Sequence, residues 1–164
     1  MRAWLRGVLS PEAGPFWQFA KYGAVGVAST LVQLAVFLAL ASTCLMCLTP
    51  DDWAVRFLGL PAVEVSDGAR AFRAAVATAV GFTAANVFCW IMNRLFVFRP
   101  GKFRWHVEFA LFFGVAALAT AVALGVQSLL IRHFGMMTSM AVAVEILVSF
   151  MMNFFIRKFV IFKN

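Results

Sequence analysis

Charge is scarce in this chain. Only 13% of its 164 residues are Asp, Glu, Lys or Arg, while 63% are hydrophobic and mean hydropathy is +0.91. A soluble domain is about a quarter charged and about half apolar. A chain of this length makes one domain, and a domain of that size cannot hide so much apolar surface in one aqueous core. Lipid must be the solvent for most of it. Acidic residues are the scarcest charged class, 7 against 14 basic ones, giving a net charge of +7 and a pI of about 10.2. No groove-reading or base-stacking motif accompanies the basicity, so nucleic acid is not an expected partner. Basic residues flanking membrane spans account for the charge instead.

Catalytic side chains are equally sparse. The two histidines, His106 and His133, both fall near the ends of apolar runs and build no Ser-His-Asp arrangement. There is no phosphate-cradling loop and no dinucleotide fingerprint. Neither enzymatic activity nor a cofactor is expected. Of three cysteines, Cys44 and Cys47 form a C-x-x-C. A zinc site wants four ligands, and both histidines lie far along the chain, so we read the pair as two small apolar residues near a helix end. A short signal-peptide core of ~7–15 residues is also missing; the first apolar run is longer and is expected to remain as a span.

Four long apolar runs are present. Tyr22 to Pro50 carries no charge, nor do Ala74 to Asn93 and Phe109 to Ile131, and Phe134 to Ile156 contains one, Glu145. Each can cross ~30 Å of hydrocarbon as a helix of about 20 residues, and lipid demands helices because unpaired backbone groups are too costly there. The expected fold is all-α: an integral membrane bundle of four transmembrane helices over about 18–48, 70–98, 106–131 and 137–160, in a single domain spanning 16–164. Ten Lys and Arg residues fall on one side of this arrangement and four, Arg56, Arg70, Arg73 and Arg132, on the other. That asymmetry places both termini in the cytoplasm. Residues 1–15, with Arg2 and Arg6 on one face and Trp4, Leu5, Val8 and Leu9 on the other, are expected to form a cytoplasmic segment lying along the inner surface.

The first outer loop reads as a short amphipathic helix on the membrane surface. Thr49 stands at the N-cap, Pro50 at the first helical position, and Asp51 and Asp52 in the first turn. Gly59 and Pro61 would end it, and Ser66-Asp67 would cap the second span. The chain also repeats itself. A shift of 90 sets Thr30 on Thr120 and Leu34 on Leu124; a shift of 64 sets Ala77 on Ala141, Val80 on Val144 and Phe98 on Phe162. Two hairpins forming a parallel repeat about the membrane normal would produce this, an arrangement used by transporters.

The hairpin endings, Cys89-Trp-Ile-Met-Asn-Arg-Leu-Phe-Val-Phe98 and Asn153-Phe-Phe-Ile-Arg-Lys-Phe-Val-Ile-Phe162, resemble those of GtrA-like proteins, as does the opening Gln18-Phe-Ala-Lys-Tyr-Gly-Ala-Val-Gly26. Cys89 stands where the second ending has Asn153. The resemblance implies a bacterial inner-membrane protein of cell-surface polysaccharide glycosylation. Such proteins move a polyprenyl-phosphate-linked monosaccharide, for instance on undecaprenyl phosphate, from the inner to the outer leaflet. Membrane glycosyltransferases would be its partners on either side.

The residues fit such a cargo. A phosphate needs cations, and Arg94, Arg157 and Lys158 lie where the second and fourth helices reach the inner interface; anchoring to anionic lipid is the simpler role for basic residues there. A sugar needs hydrogen-bonding groups on an internal path. Glu145, Ser149 and Asn153 recur every four residues on one helix face, and an intramembrane carboxylate is a functional hypothesis by default. It would contact sugar hydroxyls or couple movement to protons; the simpler alternative is a contact with Gln33 or Gln127. Asn86 and Asn93 share a face of the second helix with Thr83, and Gln33 lies one turn from Thr30. Gly23 and Gly26 are expected to permit close helix approach. Trp17, Tyr22, Trp90, Phe96, Phe98 and Trp105 suit an inner aromatic belt. Four helices are a thin enclosure for a sugar, so a homo-oligomer, a dimer, is expected. Two rival functions remain: a membrane scaffold that recruits a glycosyltransferase, and a small multidrug or ion transporter.

Overall fold

The structure is a computed structural model that describes residues 15–97 and 104–156. These form helix α1 (Pro15–Ser42), a short helix α2 (Trp53–Leu58), α3 (Asp67–Met92), α4 (Trp105–Phe134) and α5 (Thr138–Ile156). Helix α3 continues as a π-helical turn over Asn93–Val97. Among the described residues there is no strand. Three helical stretches, Ala20–Ser42, Asp67–Phe96 and Trp105–Phe134, are long and apolar enough to cross a membrane, and α5 adds the shorter apolar stretch Thr138–Met152. The expected N-terminal surface segment, Phe98 and the basic residues Arg99, Lys102, Arg157, Lys158 and Lys163 lie outside the described residues.

Helix α1 packs along α3, α3 along α4, and α4 along α5. The packing is inverted relative to a soluble bundle. Alanine fills the interior (Ala71, Ala74, Ala77, Ala119, Ala123 and Ala141 are fully buried), while Val27, Leu31, Leu118, Leu147 and Phe150 face outward. Lipid tails are as apolar as leucine, so burying Leu against another helix gains little; small residues that let backbones approach gain van der Waals contact. Gly81 marks the tightest approach. A Cβ there would sit 2.8 Å from the Gln33 carbonyl oxygen of α1. Gly23 and Gly26 do not have the expected packing role. Both are exposed, and nothing lies within 4 Å of where a side chain would begin.

One end of the bundle is knitted by polar contacts from the 43–66 loop. Helix α1 stops at Ser42, and Thr43–Leu48 turns instead of extending it. Met46 takes the left-handed region, φ 39°, a conformation costing a non-glycine residue ~1 kcal/mol or more, and its carbonyl accepts from Arg73 Nη1 at 3.3 Å. The N-cap of α2 is Asp52, not Thr49. Asp52 is fully buried; its carboxylate accepts from the Ala54 amide at 3.3 Å, the Ser139 amide at 3.0 Å and the Ser139 hydroxyl. One carboxylate therefore caps α2 and sits at the positive end of α5. Arg56 pairs with Asp51 at 2.8 Å, not with Asp52 one turn away. Gly59 closes α2 in the left-handed region, φ 63°, and Ser66 caps α3 through the Ala69 amide at 3.4 Å.

The same end joins the two halves of the chain. Thr138 Oγ1 donates to the Cys47 carbonyl at 2.6 Å. Arg70, almost fully buried, bridges Asp67 at 2.7 Å and the Met136 carbonyl at 3.1 Å. Cys44 is exposed and Cys47 buried, and burial pushes the Cys47 thiol up to about 11.

Two stability outcomes follow. Asp52→Ala strips a cap and leaves the Ser139 amide without its acceptor. We expect a loss of ~2–4 kcal/mol, read as a lower thermal midpoint of the detergent-solubilised protein, with Asp52→Asn retaining most of the stability. Gly81→Val drives a side chain into α1 and should cost ~1–3 kcal/mol in the same assay. Gly23→Ala and Gly26→Ala should leave the midpoint unchanged or slightly raised; a comparable drop in those controls would mean that the α1–α3 approach is elsewhere.

Candidate functional site

A polar group on a lipid-embedded helix must turn inward and find a partner, because the hydrocarbon offers none. The described helices obey this at three levels. Glu145 of α5, fully buried, accepts a hydrogen bond through Oε2 from Gln33 Nε2 of α1 at 3.1 Å. Gln127 of α4 and Thr78 of α3, both fully buried, are joined by Nε2 donating to Oγ1 at 3.1 Å. Thr120 of α4 and the half-buried Ser149 of α5 lie 3.2 Å apart through their hydroxyls.

Each of the two bridges made by a glutamine amide is half complete. Glu145 Oε1 and Gln127 Oε1 are buried with no hydrogen-bond partner among the described residues. The same is true of Asn86 Nδ2, Trp90 Nε1 and Asn93 Oδ1 on α3 and its π-helical turn. Asn93 spends its other group on Cys89, Nδ2 to Sγ at 3.3 Å. A sixth such atom, Arg70 Nε, lies at the loop end. Buried polar atoms are paired in the great majority of cases, so the other five, spread along the helices of a bundle this apolar, form a pattern among the described residues.

The Gln33–Glu145 bridge also breaks the internal repeat in a specific way. The 64-residue shift that aligns α3 with α5 places Gly81 opposite Glu145, and the 90-residue shift places Gln33 opposite Ala123. One hairpin supplies an amide and a glycine where the other supplies an alanine and a carboxyl. Gln33 Cγ lies 3.5 Å from where a Gly81 Cβ would be, so the missing side chain gives the amide its place beside α3. Glu145 then reaches it from the second hairpin.

Several expectations are redrawn. Gln33, Glu145 and Ser149 do meet partners inside the bundle, and Asn86 and Asn93 are buried. Thr83 does not join them; it is exposed and returns its hydroxyl to the Ala79 carbonyl at 2.8 Å. The side chain of Asn153 is outside the described residues, as are Arg157 and Lys158, so of the three cations expected to bind phosphate Arg94 alone is among the described residues. Its guanidinium lies over the Trp90 ring, 5.6 Å from the centroid. Trp90 packs edge-on against Phe109 at 5.2 Å with its N–H buried, whereas Trp17 and Trp105 are exposed as a belt requires. The Thr78–Gln127 bridge was not legible as a pair, because Thr78 is one short polar residue in a run of alanines.

Comparison with characterised proteins and with solved structures found no match. A family description, GtrA/DPMS transmembrane domain, does match, over residues 21–162. That match takes in Gln33, Thr78, Asn86, Asn93, Arg94, Thr120, Gln127, Glu145 and Ser149, and by it the chain belongs to the GtrA/DPMS transmembrane-domain family, a family of multi-pass membrane proteins.

Proposed function

We propose that this protein carries a polyprenyl-phosphate-linked monosaccharide from the cytoplasmic to the outer leaflet of the bacterial inner membrane, for use in cell-surface polysaccharide glycosylation. In this reading α5 is the fourth span, the hairpins α1–α3 and α4–α5 form a parallel repeat, and the end bearing Arg94 and Arg104 is cytoplasmic. The single observation that carries it is the set of buried polar atoms at Asn86, Trp90, Asn93, Gln127 and Glu145 that have no hydrogen-bond partner among the described residues. Sugar hydroxyls crossing hydrocarbon need such donors and acceptors to replace water. Phosphate needs a cation that stays near the interface, and Arg94 supplies one. Consumption of the sugar outside would pull the cargo outward, so the chain's residues need not be coupled to ATP or an ion.

The distribution of charge supports the orientation. At the loop end, Arg56 and Arg70 are paired with Asp51 and Asp67, and Arg73 is bonded to the Met46 carbonyl. These cations hold the loop together and contribute little to the field that sets topology. A scaffold for a glycosyltransferase would need the basic end but not the buried valences of Glu145 and Gln127.

Two experiments test this. In vesicles containing a polyprenyl-phosphate hexose, read by a leaflet-specific assay, Glu145→Gln should slow outward movement about tenfold or more, at normal membrane abundance. Wild-type rates from that variant would remove Glu145 from the path; a wild-type protein that moves no lipid but co-purifies with a transferase would establish the scaffold instead. For orientation, a membrane-impermeant maleimide applied to intact cells should label Cys44 and not the buried Cys47 or the half-buried Cys89 at the opposite end, so Cys44→Ser should abolish labelling. Persistent labelling of that variant would invert or redraw the topology.

A further inference from the structure

Asn86, Trp90 and Asn93 lie at spacings of four and three, which puts them on one face of α3 over about 10 Å of helix. Each carries one buried polar atom without a hydrogen-bond partner among the described residues: a donor at Asn86 Nδ2, a donor at Trp90 Nε1, an acceptor at Asn93 Oδ1. The two asparagines are more than nine-tenths buried, at 7% and 5% exposure. The face ends in the π-helical turn, where Arg94 stands beside the Trp90 ring; π-helical turns inside longer helices are frequent at functional sites. Resting on the translocation reading above, we propose that this face is the sugar-loading subsite at the basic end. In it Trp90 acts through its indole N–H and not through its ring faces, and its selectivity is for an uncharged monosaccharide.

The role of the edge follows from the packing. Arg94 occupies a position over the Trp90 ring, and Phe109 meets it at 77°, with Trp105 adjacent at 6.3 Å between centroids. The ring is engaged by protein, so the open valence is the N–H. The selectivity follows from the inventory of groups. A hydroxyl both donates and accepts, so a pair of neighbouring sugar hydroxyls satisfies two donors and one acceptor together. An ammonium on an amino sugar offers donors only and would face two N–H groups. A uronic carboxylate offers acceptors only, leaves Asn93 Oδ1 unpaired, and competes with the phosphate for Arg94. Sites built to hydrogen-bond a specific group reject analogues strongly, because their own buried atoms are then left unpaired.

The test uses the full-length protein in vesicles with three probes: a polyprenyl-phosphate hexose, the matching hexosamine with a free amine, and the matching hexuronic acid. The hexose should move at least tenfold faster than either charged analogue. Trp90→Phe, which keeps an aromatic ring and deletes the N–H, should raise the half-saturating hexose concentration about tenfold. Asn86→Leu replaces a buried unpaired amide by an apolar group of similar size. It should keep or raise the thermal midpoint while slowing hexose movement, a combination that a purely structural asparagine would not give. Wild-type behaviour from Trp90→Phe and Asn86→Leu, or equal transport of all three probes, overturns the subsite and leaves the translocation reading standing. A wild-type protein that moves none of the three overturns both.

Discussion

A polar atom withdrawn into hydrocarbon has only the protein to bond with, and every feature of this bundle is arranged around that constraint. The lipid-facing surface carries Leu, Val and Phe, the interior carries alanine, and the few polar side chains are drawn between helices. At the loop end the accounting is nearly complete. Asp52 takes three hydrogen bonds, Thr138 finds the Cys47 carbonyl, and Arg70 and Arg73 reach carbonyls across the turn. This end joins the two hairpins, and the links from Asp52 to Ser139 and from Arg70 to Met136 are charge-assisted bonds, the stronger kind. Further along the helices the accounting is left open, at Glu145, Gln127, Asn86, Trp90 and Asn93.

Magnitudes decide how to read that openness. An unsatisfied buried polar atom costs about 1–3 kcal/mol, so five together would cost roughly as much as the whole stability of a typical domain, about 5–15 kcal/mol. Interhelical hydrogen bonds in membranes average only ~0.6 kcal/mol, so the three bridges present cannot offset such a burden. At the loop end the pairing is complete at Asp52 and leaves Arg70 Nε open. Gln127 gives its N–H to Thr78, and its oxygen has no hydrogen-bond partner among the described residues, as a path for the proposed hydroxylated cargo would require.

Much of the architecture was legible because lipid makes the code simple. Charge-free runs marked the long helices, Gly59 and Ser66 marked a stop and a start, and the 3.6-residue period put Glu145 and Ser149 on one inward face. Legibility failed where a decision belonged to tertiary structure. Thr49-Pro50 satisfies every local rule for a helix start, but Asp52 is chosen because Ser139, 87 residues away, needs the same carboxylate. Gly23 and Gly26 look like a packing motif, but Gly81 is the glycine at the crossing, because only there does an opposing backbone carbonyl arrive. Trp90 has the composition of a belt residue, and only the placement of Phe109 and Arg94 shows that its ring is engaged and its N–H is not.

The repeat explains how one site arises from two similar halves. A perfectly duplicated hairpin would place the same residue at both members of each equivalent pair, giving two Gln33–Gly81 crossings or two Ala123–Glu145 crossings. Two glutamines would face each other across glycine gaps with no carboxyl to receive them; two glutamates would meet over alanine with no donor. The observed chain divides the roles, so that the space opened by glycine in one hairpin holds the amide that the carboxyl of the other hairpin contacts. The difference between the halves at these positions is therefore what places an amide–carboxyl contact between α1 and α5, in addition to the Thr78–Gln127 contact between α3 and α4. The other carboxyl oxygen of Glu145, Oε1, lies at the α1–α5 contact with no hydrogen-bond partner among the described residues.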